Sequence, residues 1–169
     1  MGVEQRRAAF QKKVGITVND KNLLNLIFAV PTEQSPKSGY VRIYSNERLA
    51  FVGDAVLSTV VRSHFYTNDD GNMTTGQLTE RSSALTSNIS LWSIGIMLGI
   101  ADLLKLDANT KALITNGYSK TISDTVEALI GTLFLDQGYD AAEAFIHRHI
   151  IAHEDILLNV WKRHTKNAM

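Results

Sequence analysis

Four carboxylates in this chain fall at spacings that could do chemistry. Glu47 and Asp54 stand seven residues apart within Asn46-Glu47-Arg48-Leu49-Ala50-Phe51-Val52-Gly53-Asp54-Ala55-Val56-Leu57. Seven residues is nearly two helical turns, so a helix here carries both acids along one face. Asp124 and Glu127, three apart in Ile122-Ser123-Asp124-Thr125-Val126-Glu127-Ala128-Leu129-Ile130-Gly131, repeat the arrangement. Both segments are otherwise apolar nearly all round. A carboxylate in such surroundings is costly to bury unless it is paired or holds a metal ion. Taken alone, the residues leave two readings of equal weight. The acids are either metal ligands or structural groups satisfied by Arg48 and backbone donors.

The elements that must carry these acids read as helices throughout. A short amphipathic helix over Glu4–Val14 precedes one that begins near Asp20, with Leu23, Leu24, Ile27 and Phe28 as its inner stripe and Pro31 as its stop. A loop from Thr32 to Ser45 leads into the first acid-bearing helix, from about Asn46 to Tyr66, which the turn cluster Asn68–Asn72 ends. Thr74 with Gln77 fits a capping box for the next helix, through about Leu85. Leu91, Trp92, Ile94 and Leu98 mark another helix, closed by Gly99. Gly117 closes a loop before the second acid-bearing helix, Asp140 with Glu143 caps the following one, and Ile156, Leu157, Val160 and Trp161 mark the last. The fold class is all-α, with a helical domain over 10–150 and a C-terminal helix and polar tail over 151–169.

Composition narrows the function classes. A chain of 169 residues with 44% hydrophobic and 20% charged residues suits one ordinary globular domain. It has no cysteine, which excludes a disulfide framework, a thiolate metal site and a Cys nucleophile. No apolar run is long enough to cross a bilayer, so no membrane is expected. No secretory signal follows Arg6 and Arg7. The reading is an intracellular protein, and the basic start is compatible with a position just after a removed mitochondrial leader.

The two acid segments together resemble the signature of the ribonuclease III family, which cuts double-stranded RNA. The family pattern runs approximately Asn-Glu-Arg-Leu-Glu-Phe-Leu-Gly-Asp, then Asp-x-x-Glu-Ala-Leu-Ile-Gly, then an aromatic-Leu-Asp-x-Gly ending, here Phe134-Leu135-Asp136-Gln137-Gly138. Gly76-Gln77-Leu78-Thr79 and Thr86-Ser87-Asn88 resemble the family's middle motif. The resemblance implies a ribonuclease III endonuclease-domain fold that dimerises through the signature helix, with Phe51 projecting into the second subunit. It implies Mg²⁺ (or Mn²⁺) ligands at Asp54, Asp124 and Glu127, Glu47 as a supporting carboxylate, and Lys120 near the scissile phosphate, together the catalytic set. Metal-assisted hydrolysis needs such a set, because the cation activates water and relieves charge on the leaving oxygen.

One position breaks the pattern. Ala50 stands where the family has its fourth ligand, a Glu, and a methyl group cannot coordinate a metal. Thr75 replaces a carboxylate before Gly76, and Ser82 replaces an Arg. No double-stranded-RNA-binding module is expected within the chain. Formal net charge is zero, from 17 basic and 17 acidic residues, although affinity for a polyanion comes chiefly from phosphate neutralisation.

The expected function is therefore that of an RNase III-fold protein binding structured or double-stranded RNA as a homodimer or heterodimer, with cleavage weakened or lost. A structural component of the mitochondrial ribosomal large subunit is one such setting. The alternative is an active Mg²⁺-dependent endoribonuclease with water in the vacant coordination position. His149 and His153, four apart, are read as solvated or core histidines, for want of an aligned third zinc ligand. Gly117–Thr121 lacks the upstream Gly and the preceding strand of a phosphate loop.

Overall fold

The first acid-bearing segment folds as its periodicity predicts. In the computed structural model, which describes residues 2–30, 45–104, 106 and 108–167, it begins one residue after Asn46 and runs to Asn68. Before it come α1 (Val3–Val14) and α2 (Lys21–Ile27), and the segment itself is α3 (Glu47–Asn68). It is followed by α4 (Thr75–Thr86), α5 (Asn88–Leu98), a 3₁₀ turn (Ile100–Asp102) and α6 (Ala108–Asn116). The second acid-bearing helix is α7 (Lys120–Gln137), then α8 (Tyr139–His149), a second 3₁₀ turn (Ile151–His153) and α9 (Glu154–Asn167). Among the described residues there is no strand.

Capping chemistry sets some of these boundaries. The Asp20 side chain accepts from the backbone N–H of Asn22 and Leu23 at the start of α2, and Thr74 and Gln77 form the expected capping box of α4. These contacts satisfy N–H groups that a helix start otherwise leaves without partners. Two boundaries differ from expectation. Asp140 does not cap α8. The helix starts one residue earlier, at Tyr139, behind Gly138, whose φ of 88° suits glycine. α6 was not foreseen: among its described side chains Ile114 is the buried one, and Leu113 is exposed. The Pro31 stop and the loop over 32–44 lie outside the described residues.

α7 is the central post, with Ile122, Val126, Ala128, Leu129, Ile130 and Leu133 all buried. Two of its buried hydroxyls bond to its own backbone: Ser123 Oγ donates to Lys120 O at 2.9 Å and Thr125 Oγ1 to Thr121 O at 2.7 Å. α3 crosses it more extensively than any other pair of helices touches. The inner stripe of α3 is Leu49, Ala50, Gly53, Val56, Leu57, Val60 and Val61, the i, i+3, i+4, i+7 pattern of a core-facing helix. Two glycines permit the crossing. A Cβ on Gly53 would stand 1.8 Å from Glu127 O, and one on Gly131 would stand 2.2 Å from Leu49 O. The backbones are in contact there with no side chain between them.

Two polar clamps hold the periphery to this pair. Buried Asn46 donates from Nδ2 to Ile27 O and to Thr125 Oγ1, both at 3.1 Å, tying the ends of α2 and α3 to α7. Asp136 accepts from the backbone N–H of Asn19 at 2.8 Å and of Asp20 at 3.0 Å, fixing the entry to α2. α9 closes the opposite side against α4 and α5, with Leu157 fully buried.

The crossing makes a sharp prediction. Gly53→Ala must push α3 off α7 and should cost roughly 3 kcal/mol or more in denaturant unfolding. Gly76→Ala, with nothing nearer than Thr74 Oγ1 at 3.8 Å, should instead be neutral or stabilise by about 0.4–1 kcal/mol.

Candidate functional site

The helix crossing that packs the core also assembles the acids. Gly53 lies against the backbone of Glu127, so its neighbour Asp54 is carried to the edge of the same crossing. Asp54 is exposed, whereas Asp124 and Glu127 are half-buried. The Glu127 carboxyl is pushed up to about 7, first by burial and then by the negative charges of Asp124 and Asp54, with Lys120 pulling the other way. Burial and like charge both disfavour the ionised form. Three of the four expected carboxylates therefore feel one another electrostatically.

Lys120 takes a more direct part than expected. Its Nζ donates to both oxygens of Asp124 at 2.7 Å, across one turn of α7. This bond, opposed by burial and helped by the charges of Asp124, Glu127 and Tyr118, raises the lysine above its ordinary range. The structural alternative anticipated Arg48 as the partner of the acids; for Asp124 that partner is Lys120. Glu47 stands exposed at the first turn of α3, with Ser45 Oγ 3.5 Å from its Oε2.

Ala50 is packed away from solvent. It is 6% exposed and packs with Leu49 and Ala128, and Leu23 and Leu26 lie against the three. The position three residues after Glu47 thus turns into the crossing, while Glu47 and Asp54 remain outside. Phe51, its neighbour, is 82% exposed, so it is not a core residue of its own subunit.

The other drifted motif positions have structural roles. Ser82 is buried and donates to Leu78 O at 2.8 Å. Arg81 forms an ion pair with Glu154 and stacks over the Phe65 ring at 4.5 Å. His149 Nε2 lies 2.9 Å from Val14 O and is held below its ordinary pKa by burial, a core histidine as expected.

The donor set is all oxygen and suits a hard cation such as Mg²⁺. Among the described residues, however, no three His, Asp or Glu side chains stand as a ready-made metal cage. The residues fit Mg²⁺ in type, and Lys120 holds one of the carboxylates. Sequence reasoning missed Asn46 and Thr125 as positioning groups. Their mutual hydrogen bond sets the start of α3 against the turn between Asp124 and Glu127. An Asn immediately before a helix is a visible signal, but its partner 79 residues away is not.

A family model described as Ribonuclease-III-like matches residues 29–154. The chain belongs to the ribonuclease III-like family. This ribonuclease III-like chain is 35% identical over 150 residues to Ribonuclease 3 of Geobacillus thermodenitrificans, covering 85% of the chain and 58% of that protein. It is 33% identical over 140 residues to Ribonuclease 3 of Thermobifida fusca, covering 82% and 56%. It thus spans a little under three fifths of the length of these curated relatives. The solved nuclease domain of ribonuclease III from Campylobacter jejuni superposes with a TM-score of 0.67 at 29% identity, over 83% of this chain and 93% of that one. Dicer from Giardia intestinalis shares the fold, with a TM-score of 0.63 at 20% identity over 89% of this chain and 20% of that one. The all-α, ribonuclease III nuclease-domain fold is established by these findings together.

The raised Glu127 carboxyl carries a pH signature in this ribonuclease III-like domain. Unfolded, it ionises near its ordinary 4.5. Between there and about 7 the folded state binds more protons, so stability falls as pH rises. Discounted for solvent screening, the loss should be about 1–2 kcal/mol. Burial holds His64 and His149 below their usual range, and they act in the opposite sense. The comparison with Glu127→Gln isolates the carboxyl. In metal-free urea titrations at successive pH values, the variant should gain stability on wild type as pH rises from 5 to 8.

Proposed function

We propose that this chain acts as a dimeric module that grips structured or double-stranded RNA, with its hydrolytic capacity weakened by the loss of a ligand at Ala50. The observation that carries the reading is the Gly53–Glu127 contact. It sets Asp54 beside Asp124 and Glu127 on a surface whose neighbouring side chain, Phe51, is bare. An exposed aromatic ring beside the acids is a candidate for burial in a partner. Either a second copy or another ribonuclease III-like chain would satisfy it.

Asp54, Asp124 and Glu127 would hold Mg²⁺, which when bound supplies an activated water and stabilises the leaving oxygen. The chain's own residues set how well that can work. Lys120 must release Asp124 or share it, and Ala50 contributes only packing against Ala128. RNA grip without efficient cutting would suit a structural place in a ribonucleoprotein, the mitochondrial ribosomal large subunit among them. The second reading, an active endoribonuclease, is favoured by the survival of Asp54, Asp124 and Glu127 together, since Mg²⁺ commonly keeps several waters.

Cleavage of a long RNA duplex in Mg²⁺ separates the two. Wild type should cut weakly or not at all. Ala50→Glu should raise cutting, and Ala50→Glu/Glu127→Ala should abolish the gain. Without metal, Ala50→Glu should be the less stable protein, because it adds a charge beside like charges and intrudes on the Leu23–Leu26 packing. Millimolar Mg²⁺ should reverse that order by linkage. Strong Mg²⁺-dependent cutting by wild type would promote the active reading.

Association is tested independently. The chain should sediment as a dimer at micromolar concentration, and Phe51→Ala should sediment as a monomer. Because Phe51 is 82% exposed, its truncation leaves no cavity, so helicity and monomer stability should change by less than about 0.5 kcal/mol. A wild-type chain that sediments as a monomer would remove the dimer from this reading.

A further inference from the structure

α9 is acidic at its start and basic at its end. Glu154 pairs with Arg81 on α4, while Asp155 stays exposed. Its last turns carry Lys162, Arg163 and Lys166, all exposed. None of these three has an ion-pair partner among the described residues. The helix rises about 1.5 Å per residue, so Arg163 lies roughly 13 Å along the axis from Glu154. That exceeds a Debye length at physiological salt, and the acidic end cannot neutralise the basic one. Leu157 is buried, and Leu158 and Trp161 pack against the core, so the basic turn is held in place by the apolar face of its own helix.

The end of α9 also meets the chain just before α7. The His164 ring stands 6.2 Å from the ring of Tyr118. Tyr118 is 44% exposed. Lys162 and Lys166, four residues apart, share the face of α9 opposite His164 and look out to solvent. Net neutrality of the chain conceals this local concentration of positive charge.

We propose that Lys162, Arg163 and Lys166 form a phosphate-binding edge on the outer face of α9 that takes the backbone of an RNA duplex. This rests on the RNA-gripping function proposed above and names residues through which the helical domain achieves it. Basic residues near a helix C-terminus also complement the helix dipole. That purely structural role would move thermal stability and leave RNA binding untouched.

The test is the salt dependence of duplex RNA binding, read by fluorescence anisotropy with the full chain. Each phosphate contact contributes about 0.9 to the slope of log affinity against log salt. K162Q/R163Q/K166Q should therefore lower the slope by about 2–3 and weaken low-salt binding about tenfold or more. The charge-preserving K162R/R163K/K166R should keep the wild-type slope, which guards against a variant that merely frays α9. R6Q/K12Q, altering exposed basic residues of α1, should also bind as wild type. A wild-type slope and affinity in the triple Gln variant would overturn the proposal and leave the RNA-gripping reading standing. An equal loss in R6Q/K12Q would overturn it too, since affinity would then follow net charge alone. Failure of wild type to bind duplex RNA at any salt would end both.

Discussion

The contact of backbone on backbone between α3 and α7 is the constraint on which the rest of this molecule depends. Gly53 and Gly131 face Glu127 O and Leu49 O at separations that admit no Cβ. Two helices at that distance leave no gap for water and no room for repacking, so their register is set by steric exclusion as much as by apolar burial. Asp54 follows Gly53, and Glu127 itself supplies the carbonyl that Gly53 meets. The packing contact and the chemical site are thus the same stretch of backbone seen from inside and outside.

That coupling explains why so many polar groups are committed to geometry. Asn46 ties the first turn of α3 to Ile27 O and Thr125 Oγ1. Asp136 is held below the ordinary carboxylate range, chiefly by the backbone N–H of Asn19 and with help from that of Asp20. It sits at the end of α7 and anchors the segment that positions Leu23 and Leu26 beneath Ala50. Motif residues that look catalytic in a list are, in these two cases, the fixings of the scaffold. The acids left over from fixing are Asp54, Asp124 and Glu127, and their cost is visible in the raised Glu127 carboxyl.

Ala50 has a clear physical meaning in this frame. The inner stripe of α3 needs small residues where it crosses α7, and Ala50 meets Ala128 there with Leu23 and Leu26 alongside. An alanine is well suited to packing at that place and useless for coordination. Lys120 holds Asp124 across one turn of α7.

Much of this was legible in the sequence. The acid spacings, the capping box at Thr74 and Gln77, the apolar run through Leu133 and the family motifs are local, and local pattern determines helix type and order. α6 escaped because Ile114 is the one buried anchor among its described side chains, and one anchor makes no stripe. The start of α8 shifted because a glycine with positive φ sets it rather than a side-chain cap. What only the tertiary structure decided is orientation about the helix axis. Glu47, Ala50 and Asp54 share one face by spacing, yet the crossing turns Ala50 inward and leaves the acids out. Phe51, which the resemblance directs toward a second subunit, is left exposed by the same rotation. Helix spacing places residues within an arc. Which part of that arc faces another helix depends on where two glycines, 78 residues apart, let the backbones touch.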